Sequence, residues 1–325
     1  MGSARRAQGA STHRAGCPHH VAVETGGAAR GLARRIAPPP LPRRARVSGE
    51  TERHRSRGDG TAGSGTPRSG EGFGDGELVM LVDRKNRSYL RRLEPGGFFH
   101  SHSGLVAWDD LVGQPEGSEV RSVGGTRFRA FRPTLSDFIV KMKRGAQVIY
   151  PKDLGPMLLL ADVAPGHRVL ESGVGSGALS LALLRAGAEV FGYEIRPDFA
   201  RRAHKNVQEF LGPEELARYH ISERDCYEGI DVDRLDRVAL DLPEPWRVVP
   251  HAEDRLRPGG ILIAYTPSVL QATHLRDSLE RGPWALAATV EILQRTWHIA
   301  GEAVRPDHRM VAHTGFLTHA RRLPA

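Results

Sequence analysis

The stretch from Arg168 to Arg185 constrains this chain more than any other. Arg168–Glu171 has the pattern of a short buried strand and Ser176–Arg185 that of an apolar helix. Between them runs Glu171-Ser172-Gly173-Val174-Gly175-Ser176-Gly177-Ala178, with glycine at every second position from 173 to 177. Glycine turns the backbone tightly and lets a ligand approach the main chain with no Cβ in the way. With Ala178 in sixth place the run also satisfies the relaxed dinucleotide fingerprint. A merely structural tight turn is the bland alternative.

Downstream, strand and helix patterns alternate. Ala188–Glu194 reads as a strand and Pro197–Phe210 as a helix opening on proline. Tyr219–Ser222, Arg237–Asp241 and Ile261–Tyr265 read as strands, with helices near Val248–Leu256 and Val269–Glu280. Leu286–Leu293 and Met310–Thr318 read as a closing pair. Such alternation predicts a mostly parallel sheet covered on both faces, a doubly wound α/β fold. Ahead of it, Thr134 caps a predicted helix through Met142, with Asp137 completing a capping box. A helix is expected over Leu154–Val163.

Loops at the carboxyl ends of strands in such a sheet converge on one crevice. Glu194 ends the second strand about twenty residues after the glycines, where a carboxylate accepts both hydroxyls of a ribose. Asp225 follows the third strand, placed to meet an adenine amino group. An adenosine-bearing ligand is the natural occupant.

The fourth strand runs into Asp241-Leu242-Pro243-Glu244-Pro245-Trp246. Two prolines fix φ at alternate positions and make a stiff loop, so Asp241 and its neighbouring carbonyls face the crevice in a fixed arrangement. A nicotinamide enzyme has no need of such a loop, whereas a methyltransferase directed at an amino-bearing base does. The acceptor nitrogen needs its lone pair aimed at the methyl donor and a partner that orients the base. In adenine, N1 already carries a lone pair, which leaves Asp241 to hold the exocyclic amino group and stabilise the charge that develops on the ring. A helix-capping Asp before a proline turn is the bland alternative.

With these motifs in view, the chain resembles the tRNA (adenine-58-N1)-methyltransferase family. The resemblance spans roughly Phe73 to Arg322 and rests on Ala146–Asp153 (AQVIYPKD), Leu170–Gly177 (LESGVGSG), Gly192–Arg196 (GYEIR), Asp241–Trp246 (DLPEPW) and Arg257–Ala264 (RPGGILIA). It implies a Rossmann-like class I methyltransferase domain behind a small N-terminal all-β domain, S-adenosyl-L-methionine as cofactor, tRNA as partner and a homotetramer. Carried over, Ser176, Gly177, Ala178 and Leu179 line the cofactor's methionine end, Gly173 and Gly175 also bind the cofactor, Glu194 binds its ribose and Asp225 its adenine. Asp241 becomes the catalytic aspartate, and Tyr150 packs against the target base, since aromatic faces stack on extruded nucleobases.

The remaining sequence divides the chain into residues 1–72, 73–132 and 133–325. Residues 1–72 hold 13 Arg, no Lys and 5 acidic residues, whereas the rest balances 33 basic against 33 acidic residues. The excess charge therefore belongs to a Gly, Arg and Pro-rich tail that cannot bury enough surface to order itself, and disorder is expected there. It reads as an RNA-binding arm, a transit peptide or, the reading favoured here, translation from an upstream start codon. From Glu77, short strand patterns with turn punctuation, including Gly124-Gly125, predict a small barrel or sandwich. Arg121, Arg127, Arg129, Arg132, Lys141, Lys143 and Arg144 form a basic strip that reads either as solvated surface or as a phosphate grip.

No apolar run reaches membrane-spanning length and no secretory signal is present, so a cytoplasmic protein is expected. Cys17 and Cys226 make neither a disulfide framework nor a zinc site, and His100 and His102 lack a third ligand, so no metal is expected. Three rivals stand beside the tRNA reading. A class I methyltransferase acting on a small molecule or protein has no need of the basic strip or DLPEPW. A non-catalytic tRNA-binding subunit loses the glycine loop and the aspartate, both present here. An NAD-dependent oxidoreductase lacks a coherent hydride-site acid or base.

Overall fold

The computed structural model describes residues 72–145 and 147–324, so the predictions made for the tail fall almost wholly outside the described residues.

The described chain begins with β structure. β1 (Leu78–Asp83), β2 (Ser88–Arg92), β3 (Phe98–Ser101), β4 (Gly104–Ala107), β5 (Glu119–Arg121) and β6 (Arg127–Phe131) follow in turn. An antiparallel sheet in the order β2-β1-β6-β5 carries the separate β3–β4 hairpin on one face. β1 alternates half-buried and buried residues, the period-two signature of a sheet with one dry face. That face holds Val79, Leu81, Phe128 and Ala130, closed over by Phe99, Val106 and Trp108. Phe99 meets Phe128 edge-on at 5.7 Å, which fixes how the hairpin sits. The arrangement is an open sheet with a hairpin laid on it and not a closed barrel.

The α/β part opens with α1 (Leu135–Lys141) and α2 (Pro151–Leu160). Then come β7 (Arg168–Ser172), α3 (Ala178–Arg185), β8 (Glu189–Glu194), α4 (Pro197–Phe210), α5 (Pro213–Leu216), β9 (Tyr219–Glu223), β10 (Leu235–Leu240) and α6 (Val249–Arg255). β11 (Leu256–Thr266), α7 (Val269–Arg281), β12 (Trp284–Glu291), β13 (Trp297–Ala300), β14 (Ala303–Pro306) and β15 (Phe316–Arg322) complete it. Seven strands form one sheet in the order β12-β15-β11-β10-β7-β8-β9, parallel from β11 to β9, with β15 antiparallel to both its neighbours. This is the doubly wound sheet that the alternation predicts, and its order reverses between β7 and β10.

Burial on both faces makes the central strands continuously apolar. Val169, Ala239, Ile263 and Leu317 face α1 to α4, while Leu170, Val238, Leu240 and Leu262 face α6 and α7. Because the side-chain period is two, Glu171 and Asp241 fall on the side of Val169 and Ala239. The β sheet meets this body through Leu78 and Leu90, which pack on the α1–α4 core.

Several boundaries differ from the sequence reading. α2 starts at Pro151 and not at Leu154, because proline occupies the first helical position and Tyr150 caps it. α3 starts at Ala178 and not at Ser176, since Gly177 is left-handed at φ 83°. The last strand lies at Phe316–Arg322 and not at Met310–Thr318. Met310 and Val311 are exposed, Val311 making only an isolated bridge to Gln294, and the core positions are Leu317 and Ala320. The β13–β14 hairpin is a further element that the reading lacks.

Candidate active site

The site forms where the sheet order reverses, at the carboxyl ends of β7, β10 and β11. The pairing of Leu240 with Ser172 and of Leu240 with Ala264 sets Asp241 beside Gly173 on one side and Tyr265 on the other. The Asp241 amide donates to the Ser172 carbonyl at 2.9 Å, continuing the ladder one residue beyond the strand. A Cβ on Gly173 would lie far inside van der Waals contact with the Asp241 carbonyl oxygen, and Gly173 has φ 82°. Only glycine allows this approach.

The glycine turn is held from behind. Glu194, 8% exposed, accepts from the Gly175 amide at 2.9 Å through Oε2 and from the Arg196 amide at 3.0 Å through Oε1. Gly177 backs onto Ala203 of α4, where a Cβ would sit 3.2 Å from the Ala203 Cα.

Gly173, Gly175, Ser176, Ala178, Leu179 and Asp241 line one cleft together with Glu171 and the segment from Gln147 to Ile149. Six of the residues singled out in the sequence therefore meet. The other four stand apart from that lining. Gly177 lies behind the turn, and Glu194 borders the cleft through its bond to Gly175. Asp225 sits beyond β9, with Oδ1 accepting from the Tyr227 amide at 2.8 Å. Tyr150, half-buried, follows Ile149 at the head of α2.

Two further residues belong here that the sequence reading did not single out. Glu171 is 1% exposed; Ser180 donates to its Oε2 at 2.6 Å, while its Oε1 has no hydrogen-bond partner. Burial, with Asp241 and Glu194 nearby, pushes its carboxyl up to about 8, against a weaker opposing pull from Ser180. Burial likewise pushes Asp241 up to about 7. Tyr265, aligned with Asp241 across the β10–β11 ladder, donates its hydroxyl to the Thr314 carbonyl, and burial pushes it up to about 12. An acid interrupting the apolar β7 pattern was the available signal for Glu171. Tyr265 carried none, because its partnership with Asp241 is a matter of strand register.

The YPKD run also acquires a physical role. Lys152 Nζ meets Asp153 Oδ1 at 2.8 Å and the Ile292 carbonyl at 2.7 Å, with both charged side chains almost wholly buried. Thr314 donates to Asp153 Oδ2 at 2.7 Å. This network ties the head of α2, and hence Tyr150, to the loops beside Tyr265.

The cleft thus joins a glycine turn to two buried carboxyl groups, with a third carboxylate, Glu194, at its border. Residues 130–305 match the model of the tRNA methyltransferase complex GCD14 subunit family, and residues 72–120 match the TrmI-like N-terminal model. A tRNA (adenine(58)-N(1))-methyltransferase TrmI of Thermus thermophilus is 39% identical over 250 residues, covering 76% of this chain and 97% of that protein. The chain belongs to the TrmI methyltransferase family.

Further relatives match a similar share of the chain. The Methanocaldococcus jannaschii TrmI, named for adenines 57 and 58, is 33% identical over 269 residues, covering 74% of this chain and 94% of its own. The crystal structure of Aquifex aeolicus TrmI superposes with a TM-score of 0.69 at 30% identity, covering 78% of this chain and 100% of that one. A Thermotoga maritima structure described as a SAM-dependent O-methyltransferase superposes with a TM-score of 0.74 at 31% identity, covering 78% of this chain and 95% of that one. Among the described residues of this TrmI family member, no helix is long and apolar enough to cross a membrane.

Proposed function

We propose that this protein transfers a methyl group from S-adenosyl-L-methionine to N1 of adenine-58 in the T-loop of tRNA. The observation that carries the reading is the seating of Asp241. A carboxyl group at the end of β10 is held by backbone contact against the glycine turn, so an acceptor base and a methyl donor would lie side by side.

The residues present fit the cofactor. A Cβ on Gly175 would meet only the Gly173 carbonyl oxygen, at 3.8 Å, so the turn leaves open space beside the cleft, and the unpartnered Oε1 of Glu171 suits an ammonium group. Glu194, already anchored by two amides, keeps lone pairs for the ribose hydroxyls, and Asp225 stands one strand further for the adenine. S-adenosylmethionine supplies a methyl group activated by its sulfonium. Ionised Asp241 accepts a hydrogen bond from the adenine amino group, aims N1 into the cleft and stabilises the positive charge gained by the ring. Tyr150 offers an aromatic face to an extruded base, and Tyr265 closes the far side.

The same reading includes a homotetramer, a cytoplasmic location, no resident metal and a chain divided near residue 132 into a β domain and a catalytic domain. Its test is transfer of labelled methyl to an unmodified tRNA transcript and to one with guanosine at position 58. Label appearing as N1-methyladenosine in the first transcript alone supports the reading. Equal labelling of both overturns the position, and labelling of neither overturns the substrate.

A further inference from the structure

In the fold, three of the seven cations of the basic strip are paired with acids and a fourth is held by a backbone carbonyl. Arg121 and Arg127 both pair with Glu119, Arg132 pairs with Glu77 and Glu116, and Lys141 Nζ donates to the Ser88 carbonyl. Arg129, Lys143 and Arg144 are exposed and form no ion pair among the described residues, and of these Lys143 and Arg144 lie on the segment that leads into the site.

They lie against α4. Its apolar face, with Phe199, Ala203 and Val207, is buried. Arg201 and Lys205, one turn apart on the exposed side, have no ion-pair partner among the described residues, nor does the half-buried Arg202. The neighbouring acids are already engaged, Asp198 by Arg196 and Glu209 by Arg92. Arg202 Nε lies 3.7 Å from where a Cβ of Gly145 would sit, which brings the Lys143-Arg144-Gly145 segment onto the helix.

One buried side chain ties this surface to the site. Asn206, 2% exposed, donates through Nδ2 to the Lys143 carbonyl at 2.9 Å and to the Ser176 carbonyl at 2.9 Å. The Gly145 amide donates to Ser176 Oγ at 3.3 Å. Ser176 lines the cleft. Five cations without counter-charges among the described residues are thereby fixed to the loop that forms one wall of the site.

We propose that Lys143, Arg144, Arg201, Arg202 and Lys205 form a phosphate-binding surface that holds the tRNA backbone at the lip of the cleft. This rests on the tRNA reading above. Phosphate contacts supply affinity and orientation without reading sequence, and each one formed releases condensed counterions. A backbone gripped here lies next to Ser176, close enough for an extruded nucleotide to enter past Gln147–Ile149.

The test compares the full-length protein with Arg144→Ala/Lys205→Ala and with the charge-preserving Arg144→Lys/Lys205→Arg. Steady-state methylation of unmodified tRNA is measured at several salt concentrations, and S-adenosylmethionine affinity separately. The alanine pair should raise KM for tRNA about tenfold or more and reduce the log–log salt slope by roughly 2, one per lost contact. Cofactor affinity should stay within about twofold, and the charge-preserving pair should restore KM. Wild-type KM and salt slope in the alanine pair, with tRNA methylated normally, would overturn this surface alone. A wild-type protein that methylates no tRNA would overturn the reading beneath it, and the surface with it.

Discussion

Gly173 and Asp241 touch through their backbones: no side chain fits at 173 while the Asp241 carbonyl stays in place. The turn proposed to admit the cofactor and the carboxylate proposed to meet the base are thus parts of one junction. Gly173→Ala must move that junction as well as adopt φ 82°, a conformation costing of order 1–3 kcal/mol for a residue with a Cβ. It should lower the melting temperature and also weaken S-adenosylmethionine binding at least tenfold. Calorimetry of the variant checks both.

The two raised carboxyls give the ligand-free protein a particular response to pH. A carboxyl group whose folded value exceeds its unfolded one holds a proton in the fold that the unfolded chain has released. Between about pH 4 and the folded value, each rise in pH then favours unfolding. With Asp241 at about 7 and Glu171 at about 8, stability should fall from pH 5 to pH 8. Asp241→Asn should remove part of that fall and exceed wild type at pH 8 by up to a few kcal/mol, with the difference vanishing near pH 4. Denaturant unfolding at several pH values measures it. In the same range the methylation rate should rise with pH through about 7, as Asp241 ionises.

Lys152 and Asp153 form a buried pair completed by Thr314 and the Ile292 carbonyl. Removing one partner leaves an uncompensated buried charge, at a cost of about 3–5 kcal/mol. Lys152→Met should therefore destabilise strongly, and Lys152→Met/Asp153→Leu should recover part of the loss. Thermal unfolding of the two variants distinguishes an ion pair from simple packing.

Local chemistry made much of the fold legible. Pro197–Phe210 combines an opening proline with a clean apolar stripe, and α4 has those same ends. Thr134 and Asp137 form the capping box that their spacing suggests. The C-terminal strands were harder to read, because Met310 and Val311 resemble a strand while lying exposed, with only an isolated bridge from Val311 to Gln294. At the site, the glycine turn and Asp241 announce themselves by composition. Glu171 and Tyr265 reach Asp241 through strand register, and Glu77 and Glu116, distant in sequence, meet Arg132 only in the fold.

On the proposed mechanism, Asp241 acts on the acceptor base and not on the cofactor. Single-turnover methylation of unmodified tRNA by Asp241→Ala, with S-adenosylmethionine affinity measured on the same protein, tests it most directly. Cofactor affinity within about threefold of wild type, with N1-methyladenosine formation at least about a hundredfold slower, is the expected result. Methylation at the wild-type rate with cofactor bound normally would contradict it.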